Sequence, residues 1–342
     1  MSYIYKETDS KKFFKSDEFN FVFDKTNGNT SFWGKTIDDD TDYNPWGCMI
    51  ADIEITTACF GVGGKLCEMC YKSNSPKGKN MSFETFKKVF DNLPEFLTQI
   101  AFGVDSTATS NPDIWKIFDY CIENNVTPNL TVADISDETA DNISKRSGAC
   151  AISVYDNKNI AYDSIKRLTD RGMKQVNIHH CVYEDNFKRS LEIIDDMKTD
   201  SRLSKMNAIV FLGLKNKGRG KNLKRISQEK YETLIRKCLD NGCRFGMDSC
   251  SGNRFASFCK NNDKTELLQM VTGCESTKQS LYVNVDGEYF PCSFIEGEKE
   301  WETGIDMLTI NDFVTDVWQH ERVIKFRNLL KDEFSICPRF KV

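Results

Sequence analysis

Histidine is scarce in this chain: three in 342 residues, His179, His180 and His320, and none beside the densest cysteine run. Mixed Cys/His zinc sites of the usual paired spacing are therefore poorly supplied. No run of about 18 apolar residues occurs anywhere, so no membrane span is expected. The N-terminal stretch "MSYIYKETDSKKFFKSDEF" has no apolar core of signal-peptide length, and the expected location is the cytoplasm. Positive charge is also in deficit. A net charge of −5 argues against a general nucleic-acid-binding surface and leaves only the local basic path "LKNKGRGKNLKR". A phosphate loop of Walker type lacks its lysine–serine/threonine pair.

Cysteine, by contrast, is abundant, with fourteen in the chain. In a reducing compartment these are not a disulfide framework. A single cysteine is ordinarily a small buried hydrophobe, but clustered ones need a metal or redox explanation. Cys48, Cys121, Cys150, Cys181, Cys238 and Cys243 lie on or beside predicted elements and are read as structural.

Hydrophobic content of 39% and charged content of 28% are those of an ordinary globular protein, and 342 residues suffice for a barrel of βα units plus a small domain. Residues 1–47 are polar and irregular, with "FNFVFDKTNGNTSFWG" reading as a hairpin about an Asn-Gly turn. From Ala51 onward, short β-branched runs alternate with amphipathic helical patterns. The strands are "DIEITTA", "LTQIAFG", "TPNLTVA", "ACAISVY", "QVNIHHCV" and "NAIVFLGL". The helices between and after them include "MSFETFKKVFDNL" with a serine cap, "NPDIWKIFDYCIENN" with Pro112 in its first turn, and "NIAYDSIKRLTDRG" closed by Gly172. Six βα units in a row imply a parallel sheet curled by right-handed crossovers. The expected fold is α/β: a partial (β/α)6 TIM-like barrel over residues 48–245 and a small C-terminal α+β domain over 246–342. That last region reads as short elements with little core, including the hairpin "SLYVNVDGEYFPC" and one or two helices in "INDFVTDVWQHERVIKFRNLL".

Ligands of parallel α/β folds bind at the carboxyl ends of the strands. The run "ACFGVGGKLCEMCYK" follows the first strand, and so sits at that end. Its Cys59, Cys67 and Cys70 have the spacing C-x7-C-x2-C. The residues alone leave four readings open: zinc knuckle, redox dithiol, phosphate loop, or three ligands to an iron–sulfur cluster. Three local thiolates leave one metal position free, which suits a [4Fe–4S] cluster with one open iron.

With that loop in that place, the chain resembles the radical S-adenosylmethionine (SAM) superfamily over about residues 48–240. The resemblance implies that Cys59, Cys67 and Cys70 hold a [4Fe–4S] cluster whose open iron is chelated by SAM. The first interval is four residues longer than the family's commonest C-x3-C-x2-C. Met69 stands where an aromatic beside the adenine is usual, with Tyr71 just after. "FGVDS" occupies the place of the family's "GGE"-like turn, so Gly103 and Asp105 are the counterparts of a glycine and an acid that receive the SAM amino group. Ser153 lies where a ribose or carboxylate contact is common. Asn177 and His179 alternate on "QVNIHH" and share one strand face, either toward SAM or substrate or as a hydrogen-bonded core pair. Lys215 and Arg219, after the sixth strand, are candidates for an anionic group of SAM or substrate, or belong to a solvated basic loop.

Cys274, Gly287 and Cys292 form C-x12-G-x4-C, which resembles the opening of the SPASM and twitch extensions of the same superfamily. The resemblance implies one auxiliary [4Fe–4S] cluster, completed by Cys337 and by an upstream cysteine, Cys250 or Cys259. The expected function is radical chemistry of the oxidoreductase or lyase type: SAM cleaved reductively to a 5′-deoxyadenosyl radical, then hydrogen abstraction from a substrate. A peptide or protein substrate is favoured, with a flavodoxin- or ferredoxin-like electron donor. A small molecule or nucleotide as substrate, or a non-catalytic iron–sulfur or zinc protein, are the alternatives.

Overall fold

The computed structural model describes residues 2–330 except 40, 42 and 272, together with 337, 339 and 340. Four antiparallel strands come first, in the order β1-β2-β3-β4: β1 (Ile4–Glu7), β2 (Lys11–Lys15), β3 (Asn20–Asp24) and β4 (Thr30–Trp33). The Asn-Gly hairpin expected from sequence is the β3–β4 half, with Gly28 at φ +78°. The β1–β2 half is an addition to that expectation. In β2 a lysine takes an inward position: Lys12 and Phe14 are both buried, and the Lys12 ammonium donates to the carbonyl of Leu97 at 2.6 Å. Alternation with a lysine on the apolar face does not read as a strand. The sheet packs Phe14, Phe19, Phe21 and Phe23 against Met49 and Phe96.

The barrel follows. β5 (Ile50–Glu54), β6 (Gln99–Gly103), β7 (Thr127–Val132), β8 (Ala149–Ser153), β9 (Val176–Val182) and β10 (Ala208–Gly213) are parallel neighbours in chain order. Helices α1 (Phe83–Asp91), α2 (Ile114–Glu123), α3 (Asp137–Arg146), α4 (Lys158–Asp170), α5 (Phe187–Thr199) and α6 (Gln228–Asn241) follow them in turn. Ser82, Ser136 and Ser227 cap α1, α3 and α6 by accepting from the amide three residues on, and Gly172 and Gly242 follow α4 and α6 in the left-handed conformation. Pro112 lies just ahead of α2 rather than in its first turn.

Four further strands extend the six-unit pattern. A three-residue β11 (Phe245–Met247) adds a seventh parallel strand beside β10, and α7 (Gly252–Asn261) follows it. At the other edge, β12 (Ser280–Val283) pairs parallel with β5, and β13 (Glu288–Phe290) and β14 (Ile305–Asp306) continue antiparallel. The result is one ten-stranded sheet. The C-terminal region also shares the barrel's core: Leu281, Tyr289, Trp318 and Val323 belong to the same buried cluster as Ile53 and Ile178. A π-turn over Val314–Trp318 and α8 (Glu321–Asn328) close the described part, with the Trp318 indole donating to the carbonyl of Asn44 at 2.7 Å.

Along β7 and β9 burial alternates strictly. Leu130, Val132, Ile178, His180 and Val182 are buried under the helices. The other set, Asn129, Thr131, Asn177, His179 and Cys181, is half-buried and lines the barrel's inner face. Asp52 and Glu54 occupy the same phase on β5. The inner face is thus polar, which fits a space that receives a ligand rather than a packed core.

Candidate iron–sulfur and cofactor site

The loop carrying Cys59, Cys67 and Cys70 leaves β5 at the carboxyl end of the parallel strands. Its extra length is folded on itself. Val62 and Lys65 exchange backbone hydrogen bonds at 3.0 and 3.1 Å about Gly63 and Gly64, both left-handed. Gly61 is required by close approach: a Cβ there would lie 2.1 Å from the carbonyl oxygen of Lys65. Its amide donates to the Cys59 sulfur at 3.4 Å.

The basic segment after β10 braces this loop. Arg219 donates through Nε to the carbonyl of Cys67 at 2.8 Å and through Nη1 to that of Asn74 at 2.9 Å. Its amide donates to the carbonyl of Cys70 at 3.0 Å. Gly218 passes so close that a Cβ would lie 2.4 Å from the Tyr71 carbonyl oxygen. The guanidinium fork is therefore directed at loop carbonyls.

The Cys67 thiol is raised by burial, and charges on Cys70 and Cys59 add to that, while a hydrogen bond from the Tyr155 hydroxyl acts against it. The three thiols thus share one electrostatic neighbourhood. Among the described residues no three histidine, cysteine or acidic side chains converge on the position of a single ion. Thiolates at the corners of an iron–sulfur cube stand farther apart than those around one zinc, and the donor set is purely soft sulfur.

The other sequence-predicted residues distribute around this loop. Met69 lines a cavity of about 320 Å³ together with Cys67, Glu68, Tyr155, Tyr183 and Arg189. Tyr71 faces the opposite way: its ring centroid is 4.4 Å from that of Phe294, and its hydroxyl donates to Ser293 at 3.0 Å. Gly103 ends β6 beside Glu54, where a Cβ would lie 3.1 Å from the Glu54 Cα. Asp105 is buried, and its carboxylate accepts from the amides of Thr107, Thr109 and Ser110 and from the Thr107 hydroxyl, so its own turn occupies it. Ser153 ends β8 and hydrogen-bonds to the Tyr155 phenol. Asn177 accepts from Asn207 at 2.9 Å, at the start of β9. His179 lies 3.3 Å from the Thr131 hydroxyl. Burial lowers its pKa to about 4 against the opposing pull of Asp248, so the ring is neutral near pH 7.

Lys215 is buried and ion-paired with Asp248, which also accepts from the Ser251 hydroxyl and the Gly213 amide. Burial pulls the Lys215 ammonium down, but Asp248 and the thiols of Cys250 and Cys181 outweigh it and hold the pKa above its usual value.

The second cysteine set is assembled from distant segments. Cys250 lies in a short turn after β11, Cys274 precedes β12, Cys292 follows β13, and Cys337 accepts from the Phe340 amide at 3.4 Å. Burial raises Cys250 to about 12, and the thiols of Cys274 and Cys337 contribute. Cys274 is raised to about 11 chiefly by burial, with Cys337 contributing, and Cys292 is raised by burial, Cys274 and Cys250. Cys259 feels none of the other thiols: it is buried on α7, where after burial Glu266 is the charge that reaches it. Of the two upstream candidates, Cys250 interacts electrostatically with Cys274, Cys292 and Cys337, and Cys259 does not. Burial thus holds the thiols of Cys250, Cys274 and Cys292 in the neutral form near pH 7.

Sequence reasoning missed several residues here. Tyr155 lies two residues beyond Ser153, a spacing that alternation could have found. The Tyr183 hydroxyl donates to Glu68 at 2.5 Å across the cavity. Lys72 pairs with Glu54 at 3.1 Å and with Glu296, joining the cysteine loop to β5 and to the C-terminal region. The two acids of "DIEITTA" were a visible sign that the inner face of β5 is polar. Asp248 follows a strand too short to be seen.

Residues 274–339 match the family model of SPASM, an iron–sulfur cluster-binding domain. No curated protein sequence matches the chain significantly. Among solved structures, the chain is similar to Streptococcus suis SuiB bound to the precursor peptide SuiA, with TM-score 0.69 and 13% identity over 95% of this chain and 90% of that one. A looser likeness, TM-score 0.39 at 14% identity over 84% of this chain and 88% of the other, is to BtrN in complex with AdoMet and 2-DOIA. The chain is therefore similar to the SPASM iron–sulfur cluster-binding domain over residues 274–339, and that segment is joined to a partial (β/α) barrel similar in fold to SuiB.

Proposed function

We propose that this protein is a radical SAM enzyme with two iron–sulfur sites and a peptide or protein substrate. Cys59, Cys67 and Cys70 hold the SAM-binding [4Fe–4S] cluster, and Cys250, Cys274, Cys292 and Cys337 hold one auxiliary cluster. The observation that carries this reading is the position of the three-thiol loop: it stands at the carboxyl end of the first parallel strand, above a polar inner face, next to a SPASM domain. With its cofactors bound, the first site supplies reductive SAM cleavage and a 5′-deoxyadenosyl radical for hydrogen abstraction.

The chain's own residues have definable parts in this reading. Arg219 and the turn about Gly63 fix the loop geometry, which matters because small misplacements of reacting groups are costly. The cavity beside Met69, with Tyr155 and Tyr183, offers aromatic and thioether surface to an adenine. The neutral ring of His179 and the Thr131 hydroxyl face the inner space and can hydrogen-bond a bound group without adding charge. A peptide substrate is favoured because SuiB, which shares this fold over nearly the whole chain, has been seen with a precursor peptide bound.

Addition of SAM to the reduced, reconstituted protein is expected to change the electron paramagnetic resonance spectrum of the first site. A spectrum indifferent to SAM would sink the assignment. For the substrate, incubation with short peptides encoded beside the gene, followed by mass spectrometry, is expected to show a SAM-dependent mass change.

A further inference from the structure

The segment from β10 to α6 touches both cysteine sites. Through Arg219, Gly218 and Gly220 it lies on the backbone of the first loop. Four residues before Arg219, Lys215 points to the second site. Its ammonium is ion-paired with Asp248, two residues from Cys250, and sits 4.8 Å from the ring centroid of Phe294, two residues from Cys292. Only 4% of its side chain is exposed, so water screens it little. Lys217 reaches the same region differently: it donates to the carbonyls of Phe294 and Glu296 and lies 3.8 Å from Glu298, with 19% of its side chain exposed.

A buried lysine in a redox protein calls for a role, because an uncompensated ammonium is costly to bury. Here Asp248 stabilises it and also aims it. The held charge is felt by the thiol of Cys250 and by that of Cys181 on the inner face of the barrel. The potential of an iron–sulfur group depends on nearby net charge and on solvent exposure. A fixed cation favours the reduced state, which carries one more negative charge.

We propose that Lys215 is a potential-setting residue of the second cysteine site: held there by Asp248 and Phe294, its ammonium raises the midpoint potential of the iron–sulfur group bound by that site. This rests on the reading of Cys250, Cys274, Cys292 and Cys337 as ligands. Lys215 is then committed to the second site, and the anion-binding role considered from sequence is not needed to explain it.

The test uses the full chain with Cys59, Cys67 and Cys70 changed to alanine, so that the remaining signal comes from the second site. Its midpoint potential is read by redox titration with electron paramagnetic resonance. Lys215→Met is expected to lower the potential, Lys215→Arg to leave it near the parent value, and Asp248→Asn to raise it. Lys217→Met is expected to move it less than Lys215→Met. Opposite signs for Lys215→Met and Asp248→Asn separate a charge effect from general damage, which would move both the same way. A Lys215→Met potential equal to or above the parent's overturns the proposal, as does a shift of both variants in one direction. If Lys215→Met loses its iron, Lys215→Gln decides: a lower potential upholds the proposal and an unchanged or higher one overturns it. If the parent itself binds no iron, the ligand reading has failed and the proposal falls with it, a result distinct from a loaded parent whose potential ignores Lys215.

Discussion

Cys59, Cys67 and Cys70 lie within twelve residues of one loop, whereas Cys250, Cys274, Cys292 and Cys337 come from four separate segments. The first site is a local object. Its shape is set by glycine turns and by backbone hydrogen bonds within the loop, and it is braced from outside by Arg219. The second site is a product of the fold. It requires β11 to reach the end of the barrel, the β12–β13 hairpin to turn at Gly287, and the Cys337 thiol to act on Cys250 and Cys274. A local site should tolerate damage elsewhere and fail when its loop is disturbed; a dispersed site should do the reverse.

The largest effect expected from this contrast is separability. Replacing Cys59, Cys67 and Cys70 with alanine is expected to abolish SAM cleavage while iron and sulfide remain at the second site. Cys250→Ala is expected to remove iron from the second site and to leave SAM cleavage in place. Iron and sulfide analysis of the two variants checks both, and a chain emptied by either change would erase the distinction.

Next comes Arg219→Ala, which removes two charged hydrogen bonds to loop carbonyls. A fall of ~10-fold or more in SAM cleavage is expected, with second-site iron unchanged. Arg219→Lys is expected to recover little, because an ammonium cannot span two carbonyls as the planar fork does. Single-turnover assays on iron-matched samples measure it.

Asp52, on the inner face of β5, gives a smaller and pH-dependent effect. Burial raises its carboxyl to about 7, with Glu275 contributing. The folded chain therefore holds a proton that the unfolded chain has released between about pH 4 and pH 7, so this group's contribution to stability falls as pH rises through that window. Asp52→Asn is expected to stabilise the cofactor-free chain at pH 8 by roughly 2 kcal/mol and to have almost no effect at pH 4. Thermal melts at the two pH values check it, and an equal gain at both would exclude this titration as the cause.

The smallest effect is expected at Cys259. Its thiol is buried on α7 away from the other four, so Cys259→Ala should leave iron content unchanged and cost about 1 kcal/mol of stability. Loss of iron in this variant would reassign the upstream ligand.

The same contrast explains what could be read in advance. The three-thiol loop was legible because its cysteines are neighbours in sequence and follow a strand with clear alternation. The six βα units were legible because caps such as Ser82 and Ser136 and closing glycines such as Gly172 mark the helix ends. The choice between Cys250 and Cys259 was not legible: both precede Cys274 by comparable stretches, and only the three-residue β11 with the turn after it sets Cys250 apart from Cys259 on α7. The strand β2 was hidden by Lys12 on its apolar face. The parallel pairing of β12 with β5 joins residues more than 200 positions apart, and no local pattern encodes such a pairing. Met69 stands on the cavity side of the loop and Tyr71 on the side of the C-terminal region, a division that adjacency in sequence conceals.

The proposed function stands or falls on SAM cleavage at the local three-thiol loop. Anaerobic reconstitution, followed by SAM and a low-potential reductant, tests it most directly through the yield of 5′-deoxyadenosine and methionine. Both products are expected from the intact chain and neither from the Cys59→Ala/Cys67→Ala/Cys70→Ala variant. A fully iron-loaded intact chain that forms no 5′-deoxyadenosine would contradict it.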